Sequence, residues 1–182
     1  ASKFDAIRRR EVYATTGSRI QLRVFGGWNF AKADVMRPDY VNIGYKKGVP
    51  MGGDLMRHAG AKAPSFMIAA AKDPDDANLD RVQVIKGWVD AKGGTHEKIY
   101  DVAVSGGRRV DPKTGKVSAV GNTVNLANAS YANSIGAPEL ATVWTDPDFD
   151  PGQRAFYYVR VLEIPKPRWT AYDAAFFKVK MP

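Results

Sequence analysis

The sequence predicts a mainly β fold, a β-sandwich of immunoglobulin-like or similar type, preceded by an N-terminal helix and a long irregular loop. Three observations carry that reading. Residues 19–25, 79–89 and 96–105 alternate apolar with polar side chains, the period of a strand that buries one face. Glycine and aspartate clusters, such as Gly26-Gly27, Asp73-Pro74-Asp75-Asp76 and Gly93-Gly94, punctuate those runs as turns. The run Phe156-Tyr157-Tyr158-Val159-Arg160-Val161-Leu162 is rich in the aromatic and β-branched residues that pleated surfaces favour.

The elements follow in order. Residues 2–13 read as the end of a helix, with Phe4, Ile7 and Val12 near one face and Arg8, Arg9 and Arg10 on the other. So short a helix is marginal alone in water, and its apolar stripe needs something to pack on. The strand at 19–25 points Ile20, Leu22 and Val24 one way. Residues 27–62 read as a long loop holding one helix at 38–47, with Pro38 at the first helical position and Gly48 at the C-terminal end. The continuous apolar run 65–71 fits a buried strand. In 79–89 the alternation puts Val82, Val84 and Lys86 on one face. A strand at 96–105 follows, then a polar loop at 106–120, a weaker strand at 123–132, and strong ones at 140–144 and 155–164. Thr170-Ala-Tyr-Asp173 has capping-box spacing and should open a short final helix. Val82, Val84, Val102, Val104, Val143, Val159 and Val161 are expected to be buried between two sheets.

Composition narrows the chemistry. The 182 residues are 45% hydrophobic, enough for one sizeable core. No cysteine is present, so disulfides, thiolate zinc sites and thiol nucleophiles are out of reach. The two histidines, His58 and His96, are too few for a His-rich metal centre. No apolar run is long enough to span a membrane. The net charge of +8 is uneven: residues 1–62 hold twelve Lys/Arg against five Asp/Glu, and residues 63–182 hold fifteen against fourteen. That basic third lacks the aromatic interleaving of single-strand readers, so no nucleic-acid partner is expected. It fits a surface facing another domain or another chain.

Several blocks carry a more specific signal. Residues 11–19 (EVYATTGSR), 47–54 (KGVPMGGD), 77–80 (ANLD) with Lys86-Gly87-Trp88, 140–151 (LATVWTDPDFDP) and 154–165 (RAFYYVRVLEIP) with Pro167-Arg168-Trp169 resemble the DUF3604 family. The resemblance runs over nearly the whole chain. It implies large bacterial proteins, commonly exported and therefore periplasmic or secreted, that look related to PHP-type metal-dependent phosphoesterases. It further implies that residues 1–18 end an upstream barrel domain, that residues 19–182 form the sandwich with its 27–62 loop, and that a divalent metal would sit upstream. The expectation is an accessory C-terminal sandwich of a hydrolase of phosphoesters or related esters, non-catalytic alone and without a cofactor of its own. It would meet the upstream domain or another chain through residues 1–62. The alternative is a carbohydrate- or ligand-binding module, motivated by Trp28, Trp88, Trp144 and Trp169.

Candidate site residues fall in three places. Thr15, Thr16, Ser18 and Arg19 form a polar turn with hydroxyl, backbone and guanidinium donors for an oxyanion, though without P-loop spacing. The resemblance sets this turn at the junction with the upstream domain. Asp54 and His58, four residues apart in the basic loop, suit an acid/base pair reaching a neighbouring site. Asp146, Asp148 and Asp150 have oxygen donors at a spacing that calcium uses, but Pro151 and Tyr157 break the EF-hand pattern, and an Asx turn explains the same residues.

Overall fold

The computed structural model describes residues 2–56 and 62–179. It is mainly β, with two antiparallel sheets packed face to face. The first has four strands in the order β2-β1-β3-β6: β1 (Gln21–Gly27), β2 (Gly48–Pro50), β3 (Ser65–Ala71) and β6 (Glu139–Thr145). The second has three in the order β5-β4-β7: β4 (Leu79–Val89), β5 (Thr95–Val104) and β7 (Arg154–Glu163). Three short helices flank them: α1 (Lys3–Arg8), α2 (Tyr40–Lys47) and α3 (Trp169–Phe177).

β3 is central and explains its own unbroken apolar run. It pairs with β1 from Gln21↔Ala71 to Gly27↔Ser65, and with β6 from Ser65↔Thr145 to Ala71↔Glu139. Its inner residues Phe66, Ile68 and Ala70 join Leu22, Leu79, Val82, Val84 and Leu140 in the core between the sheets. Its outer Met67 packs with Phe25, Phe30 and Val35 in a second core on the far face. A strand buried on both faces has no polar side to alternate with.

That second core corrects the reading of residues 27–62 as a loop. A 3-10 turn (Asp34–Met36) and α2 fold over the outer face of the first sheet, β2 extends that sheet's edge beside β1, and Tyr40, Val41 and Ile43 pack against the second core. Asp34 fixes the turn: it accepts from Ala31 N–H at 2.8 Å and from Lys47 Nζ at 2.8 Å. Bonding to Lys47 and Ala31 holds its carboxyl below the usual range. Gly44 lets α2 lie on Phe25, because a Cβ there would sit 2.5 Å from the buried ring.

Other expectations shift by physical causes. The N-terminal helix stops at Arg8, and Arg10 turns to φ +60°. A capping box is present, but it belongs to Ser2 and Asp5 of α1. α3 starts at Trp169 with Arg168 as an N-cap that makes no side-chain bond. Residues 123–132 form no strand, only the isolated bridge Asn125↔Ser130. There Asn122, Thr123 and Asn125 bond to nearby backbone groups, which competes with a ladder. Val82 and Val84 are fully buried between the sheets, and Val102, Val159 and Val161 pack against that core half-buried. Val143 faces the second core instead. Val104, opposite Arg81, is half-buried outside both clusters.

Candidate docking cleft

The sandwich does not close along one side. β6 lies over β4 and β5, whereas β1 and β7 stand apart across a cleft of about 1540 Å³. One wall is β1 and the residue before it, through Ile20, Leu22 and Val24. The other is β7, through Tyr157, Val159 and Val161. Phe66 and Val84 form the floor.

Two chain segments frame the opening. Residues 10–16 run beside β1, where the Tyr13 hydroxyl donates to Ile20 O at 3.0 Å and accepts from Leu22 N–H at 3.3 Å. Residues 49–55 continue along the same edge of β1, and Met51 N–H donates to Val24 O at 3.0 Å. The two segments touch at Gly52, φ +81°, where a Cβ would lie 2.2 Å from Arg10 O. Only glycine fits both the left-handed backbone and that approach. Arg10 and Asp54 pair at 3.1 Å above it, both exposed.

Deep in the aromatic end of the cleft lies Lys86, buried with Asp146. Its Nζ is 2.7 Å from Asp146 Oδ2 and 2.6 Å from Asp148 O, and it faces the rings of Trp88 and Tyr157. The Tyr157 hydroxyl donates to Asp146 at 2.7 Å. Burial and that carboxylate push the phenol well above its usual pKa. Phe66 packs on Tyr157 at 4.6 Å, and Trp28 meets Phe149 edge-on at 6.0 Å.

The other end is closed by a polar knot. The buried Ser18 hydroxyl lies 2.5 Å from Asp76 Oδ2 and 2.8 Å from Glu163 Oε2, with one proton to give. Lys166 Nζ donates to Ser18 at 2.8 Å, to Asp76 at 2.7 Å and reaches Glu163 at 2.9 Å. Burial pulls the Asp76 carboxyl up, but Lys166, Ser18, Ala77 N–H and Tyr131 together hold it well below the usual carboxylate range. Burial lowers Lys166, yet its two carboxylates raise it overall. A Ser–Lys pair of this kind is an ammonium among carboxylates, not a base beside a nucleophile. Glu163 Oε1 is buried and has no partner among the described residues.

The expected site residues are thereby distributed. Thr15 and Thr16 line the cleft, exposed. Ser18 belongs to the knot. Arg19 turns toward Asp73 and Asp75, at 3.4 and 3.8 Å. The Ser18 and Arg19 donors of the 15–19 turn therefore face carboxylates. Asp54 pairs with Arg10, and His58 lies outside the described residues. Asp146, Asp148 and Asp150 do not converge. Asp148 is held by Lys98 and Tyr100, both at 2.6 Å, and Asp150 accepts from Gly152 N–H. No cluster of three or more His, Asp or Glu arranged for a metal occurs among the described residues. His96 is exposed, 2.7 Å from Asp90 and stacked on Trp88.

Sequence reasoning missed the features that make the cleft. Nothing in the alternation of β7 says that only one of its edges is paired. Arg108, read as part of a basic loop, binds Asp80 and the Ser105 and Ser118 carbonyls and so anchors that loop to β4. An arginine in a polar loop, 28 residues from the aspartate it binds, gives no local signal of this.

Fold and cleft together define an open two-sheet β-sandwich with an apolar groove between its layers. The chain belongs to the DUF3604 family, described as a protein of unknown function, whose sequence profile matches residues 1–182. No curated protein and no solved structure matches it. Among the described residues, no helix is long and apolar enough to cross a membrane.

Proposed function

We propose that this chain is a non-catalytic accessory sandwich of an exported, PHP-like metal-dependent hydrolase of phosphoesters or related esters, and that the β1–β7 cleft is where it docks on the metal-binding domain. One observation carries the reading: the apolar interior of the sandwich lies open between two sheets, framed by residues 10–16 and 49–55. Apolar surface left open on this scale usually marks an interface. The ionisable groups beside it support the non-catalytic part. Lys86 bonds to Asp146, and Ser18, Asp76 and Lys166 bond to one another, so these groups are engaged in holding the fold. The test is hydrolysis of bis-p-nitrophenyl phosphate by purified chain with added manganese, zinc or magnesium. No turnover is expected. Metal-dependent turnover that His58→Ala abolishes would overturn the proposal.

One observation favours a second reading as a carbohydrate-binding module. Phe156 and Tyr158 are exposed on the outward face of β7 and stack with centroids 6.4 Å apart and rings 15° from parallel. Oligosaccharide binding lost in Phe156→Ala, with stability unchanged, would support it over docking.

A further inference from the structure

We infer that the occupant of the cleft is a single extended strand of a partner polypeptide, which pairs with the free edge of β7 and brings apolar residues inward and acidic residues outward. This rests on the docking reading and specifies what docks.

Four features point to a strand. β7 pairs only with β4, and among the described residues no backbone group of Arg154–Glu163 bonds to anything on the other side. In an antiparallel pair, alternate residues aim both N–H and C=O away from the partner. β7 therefore presents a ladder edge over Arg154–Glu163 that holds no proline, and the one register shift in its pairing with β4 falls at the far end, opposite Leu162 and Glu163. Next, three strands face four, and the uncovered part is β1, so one strand beside β7 would lie against Ile20, Leu22 and Val24. Room for one is present, since the cleft holds about 1540 Å³ between its walls. Finally, Glu163 Oε1 waits at the end of the cleft, buried and without a donor.

Charge specifies the outward face. The inward residues of β7 are Tyr157, Val159 and Val161, so Arg154 and Arg160 point outward with Phe156 and Tyr158. Arg160 bonds to Gln83 Oε1, and neither arginine has a carboxylate partner among the described residues. Acidic side chains on an added strand would sit across from them at cross-strand distance.

The probe is a soluble ten-residue peptide alternating valine and glutamate, titrated against the purified chain by fluorescence anisotropy and followed by hydrogen exchange. Binding should protect alternate amides of Arg154–Glu163. The valine–lysine counterpart should bind about fivefold or more weaker, and the double variant Arg154→Glu/Arg160→Glu should reverse that preference. Both substitutions are on the exposed face, so the fold should survive them. A peptide N-methylated at alternate positions should not bind. Equal binding of the N-methylated peptide, or no binding at millimolar concentration, overturns the strand. If the chain ignores the peptide but self-associates through its exposed apolar residues, the strand fails and docking stands. If it ignores the peptide and remains a monomer with those residues protected, both fail.

Discussion

Lys86 shows how one side chain can set the character of an interior. An ammonium buried at 3% side-chain exposure beside a carboxylate at 0% has given up its hydration for bonds to Asp146 Oδ2 and Asp148 O. Removing one partner leaves the other charge uncompensated, which costs about 3–5 kcal/mol. Lys86→Met should therefore lower the unfolding free energy by about that amount in urea titration. Tyr157→Phe removes one bond to the same carboxylate and should cost about 1.5–3 kcal/mol. The reverse order would mean that the hydroxyl, not the ion pair, holds β7 against β6. The Ser18 knot gives a pH dependence. Asp76 is depressed in the folded chain, as are Asp34, Asp73 and Asp148. Their contribution is present above the ordinary carboxylate pKa near 4 and is lost as pH falls through the depressed values. Lys166 is raised, so its contribution holds below its ordinary pKa and fades as pH rises through the folded value. Thermal stability should fall below about pH 4, and Asp76→Asn should flatten that limb. An unchanged acid limb in Asp76→Asn would place the sensitivity elsewhere.

Elements report how much of a fold a sequence can announce. Strands with one wet face were legible: β1 and β4 alternate, and Lys86 was placed inward by the same rule that placed Val82 and Val84. Legibility fails where a face has no polar alternative. β6 carries Leu140 and Trp144 toward one core and Val143 toward the other, so alternation alone could not choose its side. The helical cover over residues 30–47 was half visible, because Pro38 and Gly48 mark α2 but no local signal says that Phe25 and Met67 need covering. The cleft was not legible at all, since it arises from strand order. Gly44 tests the helical cover. Gly44→Ala drives a methyl into the Phe25 ring; overpacking of this kind costs about 1–3 kcal/mol, although helix propensity alone would favour alanine by about 1 kcal/mol. A net loss in denaturant unfolding is expected, and a net gain would show that α2 can lift off the sheet without cost.

At the scale of the molecule, large apolar side chains are left exposed outside both cores, among them those of the two terminal helices. Phe4 and Ile7 on α1 are 66% and 61% exposed, and Met56 is 79% exposed. α3 buries none of its residues, although Trp169, Phe176 and Phe177 are all on it. A helix that is apolar all round is stable when something surrounds it. By contrast, Val35 is buried, and Tyr40, Val49 and Met51 are partly buried against the sandwich. On the docking proposal, the surface that residues 1–62 offer is α1, Met36, the 10–16 and 49–56 segments and the cleft they frame, with α3 as a second apolar face. Hydrogen exchange on the purified chain should separate these parts. Amides of α2 should be protected to nearly the level of β3, because the second core holds them. Amides of α1 and α3 should exchange at the earliest times, because neither six nor nine residues sustain a helix without packing. Light scattering should show concentration-dependent association, and Phe176→Glu/Phe177→Glu should reduce it without shifting the unfolding midpoint, as neither ring is in a core. A strict monomer in which α1 and α3 are as slow to exchange as the central strands would mean that these helices are finished surfaces, and docking would then have to rest on the cleft alone.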